Sequence, residues 1–136
     1  MSFVVREHTA DVAVEAEAAD LGDAFAAVAD GMAAAMAEEI PDGGDRFAFE
    51  ERAESRAALL YDYLDRLIYE RDVRGVFPVD NAADVREAGG EFVVEASARG
   101  VPLDAVDARE IKAVTYSEMD LSETDAGWHA YVVFDV

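Results

Sequence analysis

The chain contains no cysteine, three prolines, one tryptophan and a single lysine among 136 residues. Without cysteine neither a disulfide framework nor a thiolate metal site can form, and no oxidising compartment is implied. No apolar run approaches the ~18 residues of a membrane span. The opening MSFVVREHTADVAVE brings acids and a histidine before any stretch of signal-peptide length. These absences predict a soluble, cytoplasmic protein. Basic charge is also scarce: 11 Lys plus Arg stand against 31 Asp plus Glu, a formal net charge of −20, and Lys112 is the one base that is not arginine. Such a surface repels nucleic-acid phosphates, because binding to them depends on Lys and Arg releasing counterions, so direct high-affinity RNA or DNA binding is not expected.

What is present is a folding sequence. Hydrophobic residues make up 52% and aromatics 10%, far above a disordered acidic chain, so the acid coats a folded body. The length fits the ~100–150 residues of one domain, which is expected to span residues 1–136, with no linker, repeat or low-complexity tail. Self-repulsion at this charge destabilises the compact state unless salt screens it, and at molar ionic strength the Debye length falls to ~3 Å. The composition reads as adaptation to a halophilic, high-salt cytoplasm; the competing reading is an acidic protein that binds a basic partner.

From Val12 to Ala18 the sequence alternates with Glu15 and Glu17 on one side, the pattern of a half-buried strand. Asp20 offers an N-cap, and Leu21, Phe25, Val28, Met32 and Met36 form one helical stripe, predicting a helix over 21–37. The methionines could line a plastic groove, but their spacing favours core packing. Gly31 weakens the middle of this helix by about 1 kcal/mol relative to alanine. A loop at 38–45 leads to a strand in RFAFEERA. Ser55 then caps a second helix, with Leu59, Leu60, Tyr63, Leu64, Leu67 and Ile68 on its apolar face and Asp62, Asp65, Arg66 and Glu70 toward solvent. Short strands follow: VRGVFPV, ADVREAG, a turn at Gly89 and Gly90, EFVVEASA, EIKAVTYSEM from 110 to 119, and WHAYVVFDV from 128 to 136. Two helices with about seven largely hairpin-connected strands predict an α+β fold, the helices packed on a mostly antiparallel sheet.

Three features can carry chemistry. His8 and Asp11, three apart in EHTAD at a strand junction, can converge on one metal ion or one proton. Lys112 places a compact ammonium with a readily shifted pKa in a chain that otherwise uses arginine. The sequence ends within its last strand at Asp135 and Val136, so a terminal carboxylate is expected beside the Asp135 side chain, a hard-oxygen half-site for Ca²⁺, Mg²⁺ or Mn²⁺. A hairpin of the last two strands with its tip near Glu123 and Thr124 would set Lys112 opposite Asp135, Val114 opposite Val133 and Tyr116 opposite Tyr131.

EHTADVAVEAEAADLGDAFAAVADGM, LLYDYLDRLIY, IKAVTYSEMDL and YVVFDV occur in the order of the motifs of the archeases, and the chain resembles that family over nearly its whole length. Glu7 departs from the usual aspartate, one methylene longer. The resemblance implies an accessory protein and not a stand-alone enzyme: archeases assist the RtcB-type RNA ligase of tRNA splicing, promoting its guanylylation by GTP on a histidine, supporting turnover and broadening nucleotide use. It implies a divalent-metal site at Asp11, Asp135 and Val136, often holding Ca²⁺, with Lys112 on the functional surface and His8 orienting. The alternative is a small metal-dependent phosphohydrolase or nucleotide-binding enzyme using Asp11, Asp135 and Lys112. No P-loop, G-x-G-x-x-G or paired metal-ligand histidines support it. A broader chaperone-like role is a third reading.

Salt decides between the two readings of the charge. Unfolding free energy is expected to rise steeply from 0.1 M to 2 M KCl in denaturant titrations; a chain equally stable at both concentrations would require the basic-partner reading instead.

Overall fold

The structure, a computed structural model, describes residues 2–7 and 11–136. Strand β1 (Ser2–Glu7) and strand β2 (Asp11–Ala18) precede helix α1 (Leu21–Met36); strand β3 (Asp45–Ala53) leads into helix α2 (Arg56–Arg74). Strands β4 (Val76–Ala88) and β5 (Glu91–Pro102), a 3₁₀ turn at Leu103–Ala105, and strands β6 (Ala113–Thr124) and β7 (Gly127–Asp135) complete the chain. One sheet has the order β1-β2-β7-β6 and the other β3-β5-β4, with every pairing antiparallel. The α+β expectation holds. No helix among the described residues is long and apolar enough to cross a membrane.

Both predicted caps form. Asp20 accepts from the Asp23 amide at 2.9 Å, and the Ser55 hydroxyl accepts from the Ala58 amide at 3.1 Å, each satisfying an otherwise orphaned N–H. Helix α1 packs on β1, β2 and β7 of the first sheet and on β4 of the second, whereas α2 packs on β3, β4 and β5 and on β6. A helix enclosed this way must be apolar all round. Its residues from Ala24 to Ala29 are accordingly all buried, as are Met32, Ala33 and Met36. One continuous core joins Val12, Val14, Phe25, Tyr63, Leu67, Phe77, Val94 and Phe134 from both sheets and both helices.

Several sequence expectations are corrected. VRGVFPV and ADVREAG are not two strands: Val73 and Arg74 finish α2, and the rest is the single strand β4, interrupted by a bulge between Val79 and Ala82. The Asp30 carboxylate of α1 holds that bulge, accepting from the Asn81 amide at 3.0 Å and from Nδ2 at 2.9 Å. The Gly89 and Gly90 turn is as expected, with φ of 61° and 85°, the left-handed pair that a two-residue hairpin requires. Arg66 and Glu70 do not face solvent. Glu70 is 4% exposed and bonded by Arg66 at 3.0 Å and Arg74 at 2.5 Å, because β3 runs past this flank; Arg66 also reaches Glu51 of β3 at 2.8 Å. Burial alone would raise the Glu70 carboxyl, but the two guanidiniums outweigh it and hold it below the usual range.

The hairpin of β6 and β7 turns at Asp125 and Ala126, two residues beyond the expected tip. Ala113, not Lys112, faces Asp135, and Val114 faces Phe134. After Thr115 opposite Val133 the pairing resumes at Asp120 opposite Tyr131, so Tyr116 does not face Tyr131 and residues 116–119 form a bulge against Val132.

Gly31 is a close-approach residue. A Cβ there would stand 2.5 Å from Val14 Cγ1 and 3.1 Å from the Phe3 ring. Overpacking costs about 1–3 kcal/mol, against a helix-propensity gain of at most ~1 kcal/mol. Gly31→Ala is therefore expected to lower the unfolding free energy by about 1 kcal/mol in denaturant titrations; a stabilised variant would mean that α1 does not approach β2 this closely.

Candidate functional site

The strand register builds the site at one end of the first sheet. Asp11 opens β2, Asp135 closes β7, and the two are direct register partners. Directly opposed residues share a face with Cβ atoms ~4.5–5.5 Å apart, and like charges so placed destabilise the sheet unless a cation lies between them. The neighbouring row, Val12 with Phe134 and Val114, is buried, which turns Asp135 outward by alternation. Val136 is half-buried and packs against the core.

Lys112 lies one residue before β6. Its amide donates to the Asp135 carbonyl at 2.9 Å, so the contact between the two residues runs through the main chain and not between opposed side chains. The Lys112 side chain is exposed, with no ion-pair partner within 4.0 Å among the described residues. His8 and the side chain of Glu7 lie outside the described residues. The structure thus brings Asp11, Asp135, Val136 and the Lys112 main chain to one end of the sheet.

The donor chemistry suits a hard divalent cation. Two carboxylates supply the oxygens such ions prefer, though fewer than the ~6–8 that Ca²⁺ takes. No group of three or more His, Asp or Glu side chains that could hold a metal occurs among the described residues. Among the described residues the pair by itself supplies fewer ligands than such an ion takes. An open cleft of about 1000 Å³ lies at the C-terminal end of α1, between residues 34–41 and 105–109, with Val5 in its wall and Glu38, Glu39, Asp107 and Arg109 among its lining. The Arg109 amide ties its two sides by donating to the Met36 carbonyl at 2.8 Å. Because α1 runs back along β2, this cleft opens toward the end of the sheet that carries Asp11.

Sequence reasoning passed over His129. On the outward face of the first sheet its Nδ1 is 2.9 Å from Asp120 Oδ2 and its Nε2 is 3.0 Å from Glu15 Oε2, linking β6, β7 and β2. Hydrogen bonding to Glu15 raises its pKa above the ordinary 6.5, partly opposed by burial and reinforced by Asp120. The alternating Glu15 and Glu17 were a visible signal for an acidic face. Asp120 was not, because the bulge in β6 sets its register.

A small α+β protein with two antiparallel sheets and an acidic pair at one sheet end is the class defined so far. The chain matches the archease protein family (MTH1598/TM1083) over residues 3–136 and belongs to that family. It is 34% identical over 139 residues to the protein archease of Methanosarcina mazei, covering 96% of this chain and 92% of that one. To the protein archease of Pyrococcus furiosus it is 27% identical over 135 residues, covering 96% and 95%. The solution structure of Methanobacterium thermoautotrophicum protein 1598 superposes with a TM-score of 0.85 at 26% identity, covering 98% of each chain. The crystal structure of an archease, possible chaperone, from Thermotoga maritima has a TM-score of 0.58 at 22% identity, covering 96% and 94%, a likeness of fold.

A raised histidine pKa stabilises the fold below its unfolded value of ~6.5, and that contribution is lost as pH rises through the folded value. The His129 ring is therefore expected to titrate by NMR above 6.5, and the stability difference between wild type and His129→Gln to shrink as pH rises through that midpoint. A midpoint at or below 6.5 would mean that the two carboxylates do not hold the ring.

Proposed function

We propose that this archease is an accessory protein of tRNA splicing that activates an RtcB-type RNA ligase, promoting its guanylylation, sustaining turnover and broadening its nucleotide use. The observation that carries the reading is the direct opposition of Asp11 and Asp135 across β2 and β7, with Lys112 pinned beside them. Asp11, Asp135 and oxygens of Val136 would hold a divalent ion, Ca²⁺, Mg²⁺ or Mn²⁺. Such an ion, when bound, neutralises triphosphate charge. Two continuous strands fix the carboxylates relative to each other. The Lys112 ammonium, restrained at its own amide, supplies a mobile positive charge within reach of the same end for phosphate oxygens. His8 is assigned an orienting role.

Nothing in these residues forms a nucleophile with a base, so no turnover is expected from the protein alone. The excess of acid on the surface favours contact with the ligase over contact with RNA.

Guanylylation of the cognate ligase, followed with labelled GTP in molar KCl, tests this reading. Asp11→Ala and Asp135→Ala are expected to reduce stimulation at least ~10-fold, the lower bound for disturbing a metal's ligand shell, while leaving the fold and melting transition in place. Chelation is expected to do the same to the wild type. Normal stimulation by both variants, or hydrolysis of nucleotide by the protein without ligase, would overturn the assignment, the latter in favour of a metal-dependent phosphohydrolase.

A further inference from the structure

The bulge of β6 has a cost and an outcome that the metal site does not explain. Glu118 is held at φ 61°, a left-handed conformation that a long side chain rarely adopts, and residues 116–119 leave the pairing with β7. The outcome is the placement of Tyr116 on α2: its ring stacks on Tyr61 with centroids 4.3 Å apart and planes at 5°. Tyr116 nevertheless remains 55% exposed. A strained bulge that re-aims one aromatic side chain into solvent has the character of a recognition element.

The same surface continues along α2. Tyr61, Asp62, Asp65, Tyr69, Asp72 and Val73 fall within one arc of the helix at 100° per residue, opposite the buried arc of Leu59, Tyr63 and Leu67. Tyr69 and Val73 are 56% and 62% exposed. Asp62 and Asp65 have no ion-pair partner among the described residues. Their charge is unrelieved: burial and then Asp65 raise the Asp62 carboxyl, and burial followed by Asp62 raises the Tyr116 hydroxyl. From Tyr61 to Val73 the helix advances about 18 Å at ~1.5 Å per residue. At its far end Arg71 donates to the Ile111 carbonyl at 3.2 Å, next to Lys112. Arg71 projects from the buried side of the helix, so this bond ties the C-terminal turn of α2, and not the exposed face itself, to the segment before β6.

We infer that this face of α2, capped by the Tyr61 and Tyr116 stack, is the docking surface for an arginine-bearing face of the partner ligase. The inference rests on the ligase reading above for the partner's identity. Charge complementarity selects the occupant: a guanidinium can lie on the tyrosine ring and donate to Asp62 and Asp65, and tyrosine and arginine are the residue types that concentrate binding energy at protein interfaces. The acidic rim repels nucleic-acid phosphate and equally repels a second copy of this chain.

The test is calorimetric binding of the intact ligase to the full chain in molar KCl. Tyr116→Ala and Tyr61→Ala are expected to weaken binding about tenfold or more, Tyr116→Phe to bind like wild type, and Asp65→Lys, an exposed position, to weaken it as well. Asp11→Ala is expected to bind normally although it fails to stimulate. If the wild type binds and stimulates while Tyr116→Ala and Asp65→Lys bind within twofold of it, the docking face is wrong and the ligase reading stands. If the wild type neither binds nor stimulates the ligase, the reading and the face both fail. Dimerisation of the wild type that Tyr116→Ala abolishes, or RNA that competes for the tyrosine pair, would also overturn the proposal.

Discussion

The arrangement depends on how closely two sheets can approach the same helix. Helix α1 lies against β2 on one side and β4 on the other, and it can do so only where its own side chains are small. A Cβ at Gly31 would crowd Val14, and one at Gly22 would meet the Ala83 carbonyl of β4. Between these glycines the helix is mostly alanine, every residue from Ala24 to Ala29 except Phe25 and Val28. Those two exceptions reach into the common core. A thin helix lets both sheets share one core. It also directs the C-terminal end of α1, and the cleft there, toward the sheet end where Asp11 and Asp135 meet.

The acidic excess divides by geometry. Glu70, Glu51, Glu15, Asp120, Asp80 and Asp30 each bond a specific donor at 3.2 Å or less. Interactions at that range are screened far less than repulsion between distant exposed charges, so salt removes the penalty of the coat while leaving these bonds in place. Exposed pairs at 3.6–3.9 Å, such as Arg52 with Glu91 or Arg86 with Glu95, contribute little. Asp11, Asp135, Asp62 and Asp65 are carboxylates set near one another without a paired cation among the described residues.

Much of this was legible in the sequence. The apolar stripes and their caps at Asp20 and Ser55 locate both helices, the Gly89 and Gly90 turn locates one hairpin, and alternation locates β2. The position of Glu70 was legible too: it lies three residues after Leu67 and seven after Tyr63, on the apolar arc, and only its charge suggested solvent. The β6 register failed because uniform alternation was assumed. The apolar residues change phase within the strand, from Val114 and Tyr116 to Met119 and Leu121. A change from even to odd positions signals inserted residues, since Val114 and Leu121 can both face Phe134 and Ala130 on the buried side only if the strand slips between them. At Lys112 two errors nearly cancel, a hairpin tip set two residues early and the missed bulge at 116–119, and leave the expected pairing one residue off. His129 stayed hidden because Glu15 comes from a strand distant in sequence and the bulge in β6 decides that Asp120 of the neighbouring strand meets it.

Strand β7 keeps these features separable. It pairs with β2 without interruption from Trp128 to Asp135, which holds Asp11 against Asp135 whatever happens on the other side. Its pairing with β6 is made in two pieces: Ala113 to Thr115 secures the end near Asp135, helped by the Lys112 amide, and Asp120 to Thr124 secures the other, helped by His129. Residues 116–119 are therefore free of ladder duties on that side and can meet α2 through Tyr116 and Tyr61. A change at the tyrosine stack leaves the β2–β7 ladder that opposes Asp11 and Asp135 in place. A change at Asp11 or Asp135 likewise leaves the helix face intact. The bulge thus lets β6 present Tyr116 to α2 while the opposition of Asp11 and Asp135 is set by β2 and β7.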